Sequence, residues 1–222
     1  NDSCTAFPAL TCLAATWNPE MSALYGKSIG EEARYREKDI LLGPGVNIYR
    51  TPLNGRNFEY MGEDPFLSAR MVVPYVREVQ KNGVAACVKH FALNNQEVHR
   101  HGIDVEVGDR ALYEIYLPAF KAAVEEGGAW AIMGSYNKYK SQHCCHNQYL
   151  LNDILKRDWA FDGVVVSDWG GVHDTKQAAE NGLDMEFGSW TDGLSWGASN
   201  AYDNYYLAAP YLDMLRKGEA ST

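Results

Sequence analysis

Apolar residues recur along this chain in two rhythms. Helical spacing, three and four residues apart, runs from about Asn18 to Asp39, Phe66 to Asn82, Ala111 to Gly127, Leu150 to Trp159 and around Thr175 to Asn181. The first of these has Asn18 as its cap, Pro19 in its first position and acidic Glu20 next; the second stops at Gly83, a natural C-terminal cap. Between the helices stand short apolar runs of strand character. They are Ile40 to Ile48, broken by Gly43-Pro44-Gly45, then Val84 to Val88, Ala131 to Asn137, Gly163 to Ser167, and Gly182 to Phe187.

Strand, polar exit and helix therefore alternate, which predicts a parallel sheet of βα units, either a barrel or an open doubly wound sheet. No Gly-x-Gly-x-x-Gly turn or phosphate loop follows a strand, which counts against nucleotide binding. The expected fold class is α/β, a (β/α)8 TIM-type barrel. It is expected to be incomplete, because 222 residues fall short of the roughly 250 such a barrel usually needs.

Barrels keep their chemistry at the C-terminal ends of their strands, so the polar exits are the candidate site. Val164-Val165-Val166-Ser167 ends abruptly in Asp168 and Trp169. A carboxylate there can cap the next helix or act as a nucleophile, for which it must stay ionised. Lys89 and His90 follow Val88; they fit either a salt bridge with a satisfied histidine or donors for a sugar's hydroxyls. The polar loop Tyr49 to Asp64 is long enough to be functional, and its Arg56 offers a planar fork for two hydroxyls or a carboxylate. Tyr136 closes the Ala131 run and is read as either a site residue or a packing one, as is Trp169.

Composition narrows the partners. A formal net charge of -9 argues against nucleic acid and anionic membranes. Six Trp and fourteen Tyr supply rings that can stack on sugar faces, although most such rings pack a core. No apolar run approaches the roughly 20 residues of a membrane span. Five cysteines without scaffold spacing leave the redox compartment open. His143-Cys144-Cys145-His146 has metal-binding residue types, but four adjacent ligands do not readily close one tetrahedral site, so no metal and no cofactor are expected.

The run from Ile154 to Gly171 resembles the signature around the catalytic nucleophile of glycoside hydrolase family 3. Thr5-Ala6-Phe7-Pro8, the stretch Gly55 to Pro65, Lys89-His90-Phe91, Gly134-Ser135-Tyr136-Asn137 and Gly182-Leu183-Asp184-Met185 follow the order of the family's β-glucosidases and β-xylosidases. The resemblance implies that Asp168 is the nucleophile, that Arg56, Lys89 and His90 bind the sugar next to the scissile bond, that Tyr136 lies beside the nucleophile, and that Trp169 walls the aglycone side. The implied function is a retaining, exo-acting β-glucosidase-like hydrolase working on a small-molecule or oligosaccharide β-glycoside through a covalent glycosyl-enzyme. The alternative is a catalytically incomplete fragment that binds sugar or a partner without turnover.

The resemblance also implies parts that these residues do not supply. The family's Asp-Gly-Pro-x-Gly segment is absent, and the general acid/base of this branch is a Glu of a following α/β sandwich domain. Residues 1–222 are thus expected to form one catalytic barrel domain, truncated at both ends, with the acid on a missing domain or partner chain. Lys89-His90-Phe91 continues as Ala92-Leu93-Asn94-Asn95, unlike the N-acetylglucosaminidase branch. Glu97 and Glu186 stand nearest by motif position as substitute acids but are read as hydrogen-bonded supports. The aromatic-rich tail from Trp190 to Tyr211 is read as domain-packing surface.

Overall fold

The computed structural model describes residues 3–188 and 204–221. Four parallel strands make the central sheet: β1 (Ile40–Leu41), β2 (Ala85–Phe91), β4 (Ala131–Gly134) and β7 (Val164–Val166), side by side in that order. Gly45 bridges to Lys89 beyond β1, and Met185 bridges in parallel to Val166 beyond β7. The sheet is an arc of a barrel in which each strand neighbours the next one in sequence order. A second, three-stranded sheet, β3 (Asp104–Val105), β5 (Lys138–Tyr139) and β6 (Gln142–His143), sits in the loops that leave β2 and β4. Two-residue strands have no apolar alternation to read, so the sequence pattern does not announce this sheet.

The helices cover the outer face. After the short α1 (Leu10–Ala14), α2 (Pro19–Tyr35) starts where Asn18 Oδ1 accepts the Glu20 N–H at 2.9 Å. Asp64 Oδ1 caps α3 (Pro65–Gln80) in the same way at the Leu67 N–H, also at 2.9 Å, and Gly83 turns the chain out of the helix with φ of +71°. The predicted helix from Ala111 is interrupted: α4 (Asp109–Ala111) passes into a π-helical turn, Leu112–Tyr116, before α5 (Pro118–Glu125). Pro118 has no N–H to donate back and its ring crowds the preceding turn, which explains the wider winding there. Tyr149–Asp158 is π-helical throughout, α6 (Thr175–Glu180) and α7 (Ala209–Lys217) follow it, and short 3-10 turns form at Asn57–Glu59 and Cys144–His146.

Strand alternation sorts the core into two sides. Ala86, Val88, Ile132 and Val165 face outward and merge with Val72, Val76, Val79, Phe120, Leu151 and Ile154 of the surrounding helices. Cys87, Ala131, Met133 and Val166 point the other way and form a separate small cluster, the barrel's inner lining. Alternation puts Lys89 in the inner series after Cys87. His90 would then face outward, but pairing with β4 slips between Val88 and Phe91, which lets consecutive residues reach the same end of the barrel. Of the aromatic tail, residues 189–203 lie outside the described residues. Tyr206 and Leu207 pack on the main core, and their backbone N–H groups bond to the Glu186 carboxylate.

Candidate active site

Asp168 stands at the exit of β7 and is only 7% exposed. Its Oδ1 accepts the backbone N–H of Trp169 at 2.8 Å, which fixes the carboxylate's plane. Oδ2 meets no partner in hydrogen-bond geometry, and His90 Nε2 lies 3.6 Å from it. Burial pushes the carboxyl above its ordinary value, against the Trp169 N–H, the Tyr136 hydroxyl and the charges of Arg56 and Lys89. A buried carboxylate with one free oxygen is primed to meet something from outside the chain.

The groups around it come from three separate exits. His90 is held by its backbone, whose N–H donates to Asn47 Oδ1 at 2.7 Å while its carbonyl accepts from Asn47 Nδ2 at 2.9 Å. Its ring touches Tyr60 Oη at 3.0 Å through Nδ1 and Arg56 Nη2 at 2.9 Å through Nε2. Burial, then the nearby charges of Arg56, Lys89 and Arg100, drive its basicity well below the ordinary range, so the imidazole is neutral. Arg56 Nε donates to Glu59 Oε1 at 2.5 Å, and the other Glu59 oxygen lies 3.3 Å from Lys89 Nζ. Burial alone would raise the Glu59 carboxyl; the Arg56 hydrogen bond and the Lys89 and Arg56 charges outweigh it and hold the group ionised.

Tyr136, at the exit of β4, is buried, and its phenol is pushed up first by burial and then by the Asp168 charge. The Arg100 guanidinium lies 4.4 Å from the centre of the Tyr136 ring and the His101 ring 4.3 Å from it. Trp169 is 43% exposed and rests its ring 5.0 Å from that of Phe187, leaving a face at the mouth. The structure thus brings Arg56, Lys89, His90, Tyr136 and Trp169 around Asp168 at one end of the sheet. A large cleft lined by Trp130, Trp159, Phe161 and Gly163 lies at the opposite end of β4 and β7, away from this chemistry.

Several members of the site were not singled out from the sequence. Glu59 and Tyr60 are neighbours in the Tyr49 to Asp64 loop; Glu59 pairs with Arg56 on the same loop and with Lys89 on β2, and Tyr60 reaches His90, also on β2. Arg100 binds Glu97 Oε2 at 2.7 Å, and Glu97 Oε1 is buried without a partner. Glu97 is thereby a support for Arg100, and Glu186 a support for the Tyr206 and Leu207 backbone. The His143 to His146 run folds into β6 and a tight turn: His143 Nδ1 meets the Tyr136 carbonyl at 3.1 Å, and His146 meets Gln177 Oε1 at 3.1 Å and the His173 N–H at 3.2 Å.

Comparison with known proteins places the chain. A model of the glycosyl hydrolase family 3 N terminal domain matches residues 1–186. Beta-glucosidase BoGH3A of Bacteroides ovatus is 68% identical over 219 residues, covering 99% of this chain and 29% of that protein. Thermostable beta-glucosidase B of Acetivibrio thermocellus is 47% identical over 82% of this chain and 24% of its own length. Among solved structures, beta-glucosidase 3B from Thermotoga neapolitana in complex with glucose superposes with a TM-score of 0.87 at 39% identity, covering 100% of this chain and 31% of that one. The chain therefore spans less than a third of the length of these relatives. With most of its residues matched by the family model and a TIM-type barrel arc around Asp168, the chain belongs to glycosyl hydrolase family 3 and carries part of its N-terminal barrel domain.

Proposed function

We propose that this chain forms the nucleophile half of a retaining, exo-acting β-glycosidase of β-glucosidase type. The observation that carries the reading is the unpartnered Oδ2 of Asp168, buried at a strand exit and ringed by Arg56, Lys89, His90 and Tyr136. In this reading Oδ2 attacks the anomeric carbon as the bond to the aglycone oxygen breaks, and a general acid protonates that leaving oxygen. Water then opens the glycosyl ester, activated by the same acid in its basic form, and the sugar leaves with retained configuration.

Arg56 and Lys89 offer donors to adjacent hydroxyls, and their common partner Glu59 keeps both oriented. Arg100, tied to Glu97 and lying on the Tyr136 ring, extends the cationic wall of the site. Trp169 supplies a face for the aglycone. None of the carboxylates gathered here suits the acid role: Glu59 is neutralised by two cations, and Glu97 and Glu186 are committed to other groups. The acid is assigned to a separate α/β sandwich domain, with residues 1–222 belonging to the barrel. The relatives named above are β-glucosidases, which supports a terminal β-linked glucose or a similar equatorial sugar as substrate.

The test is covalent. Full-length protein incubated with a 2-deoxy-2-fluoro-β-glucosyl fluoride should gain one sugar mass on the peptide containing Asp168, and label on any other carboxylate would overturn the assignment.

A further inference from the structure

Two contacts decide which ring nitrogen of His90 carries the proton. Arg56 Nη2 lies 2.9 Å from His90 Nε2, and a guanidinium has only donors, so Nε2 presents a lone pair. The single proton of the neutral ring is then on Nδ1, 3.0 Å from Tyr60 Oη, which accepts it. Tyr60 Oη also accepts from Asn94 Nδ2 at 2.9 Å, and Tyr60, Asn94 and His90 are all fully buried. The phenol is thus anchored from two sides and has little freedom to turn away.

The consequence falls on Asp168. Its Oδ2 sits 3.6 Å from His90 Nε2, close enough that a small shift would make a hydrogen bond if that nitrogen carried a proton. It carries none, and Oδ2 has no partner. A donor at this place would hold the attacking electrons in a hydrogen bond and lower the carboxylate's nucleophilicity. We propose that Tyr60 is a positioning residue: by accepting the His90 Nδ1 proton it keeps the Nε2 edge of the ring a lone pair, so that Asp168 Oδ2 faces the substrate unbound. This rests on the reading of Asp168 as nucleophile.

The proton can be located directly. Neutron diffraction from deuterium-exchanged crystals of the full-length protein should show a deuteron on His90 Nδ1 directed at Tyr60 and none on Nε2; a deuteron on Nε2 pointing at Asp168 overturns the proposal. The second arm uses Tyr60→Phe in the same protein. Without its acceptor the Nδ1 proton is buried unpaired, so the ring gains by moving it to Nε2, where it displaces the Arg56 donor and reaches Oδ2. The rate of covalent labelling by the fluorosugar should fall by about tenfold with KM for an aryl β-glucoside little changed, the pattern of an interaction lost in the transition state. The acid limb of kcat/KM should move to lower pH, because a hydrogen bond to the ionised form stabilises it. A fall in rate with an unmoved acid limb marks Tyr60 as packing alone and overturns the proposal. Failure of the wild-type protein to label at Asp168 overturns the nucleophile reading instead, and the neutron map still reports the ring proton.

Discussion

Glu59 and Arg56 are joined by a hydrogen bond of 2.5 Å, and the second Glu59 oxygen reaches Lys89 at 3.3 Å, so one carboxylate serves two of the cations that face Asp168. This division has an electrostatic purpose. Without Glu59, Arg56 and Lys89 would repel each other and both turn toward the remaining anion, Asp168. For Glu59→Gln, KM for an aryl β-glucoside is expected to rise by about tenfold, the order of one lost charge-assisted contact. The acid limb of kcat/KM should shift to lower pH as the freed cations stabilise ionised Asp168. Unchanged KM and unchanged pH profile in a folded variant would remove Glu59 from the site.

Asp168 itself is a case of function set against stability. Burial raises its carboxyl, so the folded state holds its proton more tightly than the unfolded chain does, and ionisation destabilises the fold as pH rises past the unfolded value. Asp168→Asn removes that charge while keeping an acceptor for the Trp169 N–H. If Asp168 attacks the sugar as proposed, turnover should fall by more than about a thousandfold, while the unfolding midpoint at neutral pH stays level or rises. A clear loss of thermal stability would show that the carboxylate has a structural partner.

Much of this was legible in the sequence, and the limits have a physical pattern. Asp168 announces itself because an apolar strand that stops at an acid leaves few structural uses for that acid. Lys89-His90 and Arg56 stand out for the same local reason, and the caps at Asn18 and Asp64 are built from neighbours in the chain. Tyr60, Asn94 and Asn47 do not stand out, because their meaning lies in contacts to residues 30 or more positions away. Glu59 lies inside a quoted motif, yet only the meeting of the Arg56 loop with β2 reveals that it joins two cations. The small sheet of β3, β5 and β6 is formed by pairing alone and leaves no periodic trace.

The packing of α2 on α3 rests on two glycines. A Cβ at Gly26 would strike the Tyr75 carbonyl oxygen and lie 2.9 Å from Tyr75 Cα, and one at Gly30 would lie 2.7 Å from Asn82 Nδ2 and 3.0 Å from Val79 Cα. The obstacles at Gly26 are backbone and cannot rotate away. Gly→Ala in a helix normally gains up to about 1 kcal/mol from propensity, but overpacking costs about 1–3 kcal/mol, so the steric effect should win at Gly26. Gly26→Ala is expected to lower the urea midpoint of full-length protein without altering the denaturant slope. A midpoint that rises would mean that the two helices sit farther apart.

The histidines beside the Asp168 loop set an acid limit on stability. His146 accepts the His173 backbone N–H at 3.2 Å through Nε2 and meets Gln177 Oε1 at 3.1 Å through Nδ1, an arrangement that needs a lone pair on one nitrogen and a proton on the other. The His143 and His173 rings stack with centroids 3.8 Å apart. Burial first, then the neighbouring imidazoles, lower His146 from 6.5 to about 4, and the same causes lower His173 from 6.5 to about 4. The unfolded chain therefore binds these protons more readily than the folded one. Stability is full above the unfolded value and is lost as pH falls from about 6.5 toward 4, by about 1.4 kcal/mol per unit for a fully buried group. His173 is exposed at its surface although its stacked ring is partly desolvated, so it contributes less than His146. Replacing His146 by Gln keeps an acceptor for the His173 N–H and removes the titration. The variant's unfolding midpoint should thus fall less steeply than the wild type's between pH 6.5 and 4, and equal slopes would show that other groups govern the acid limit.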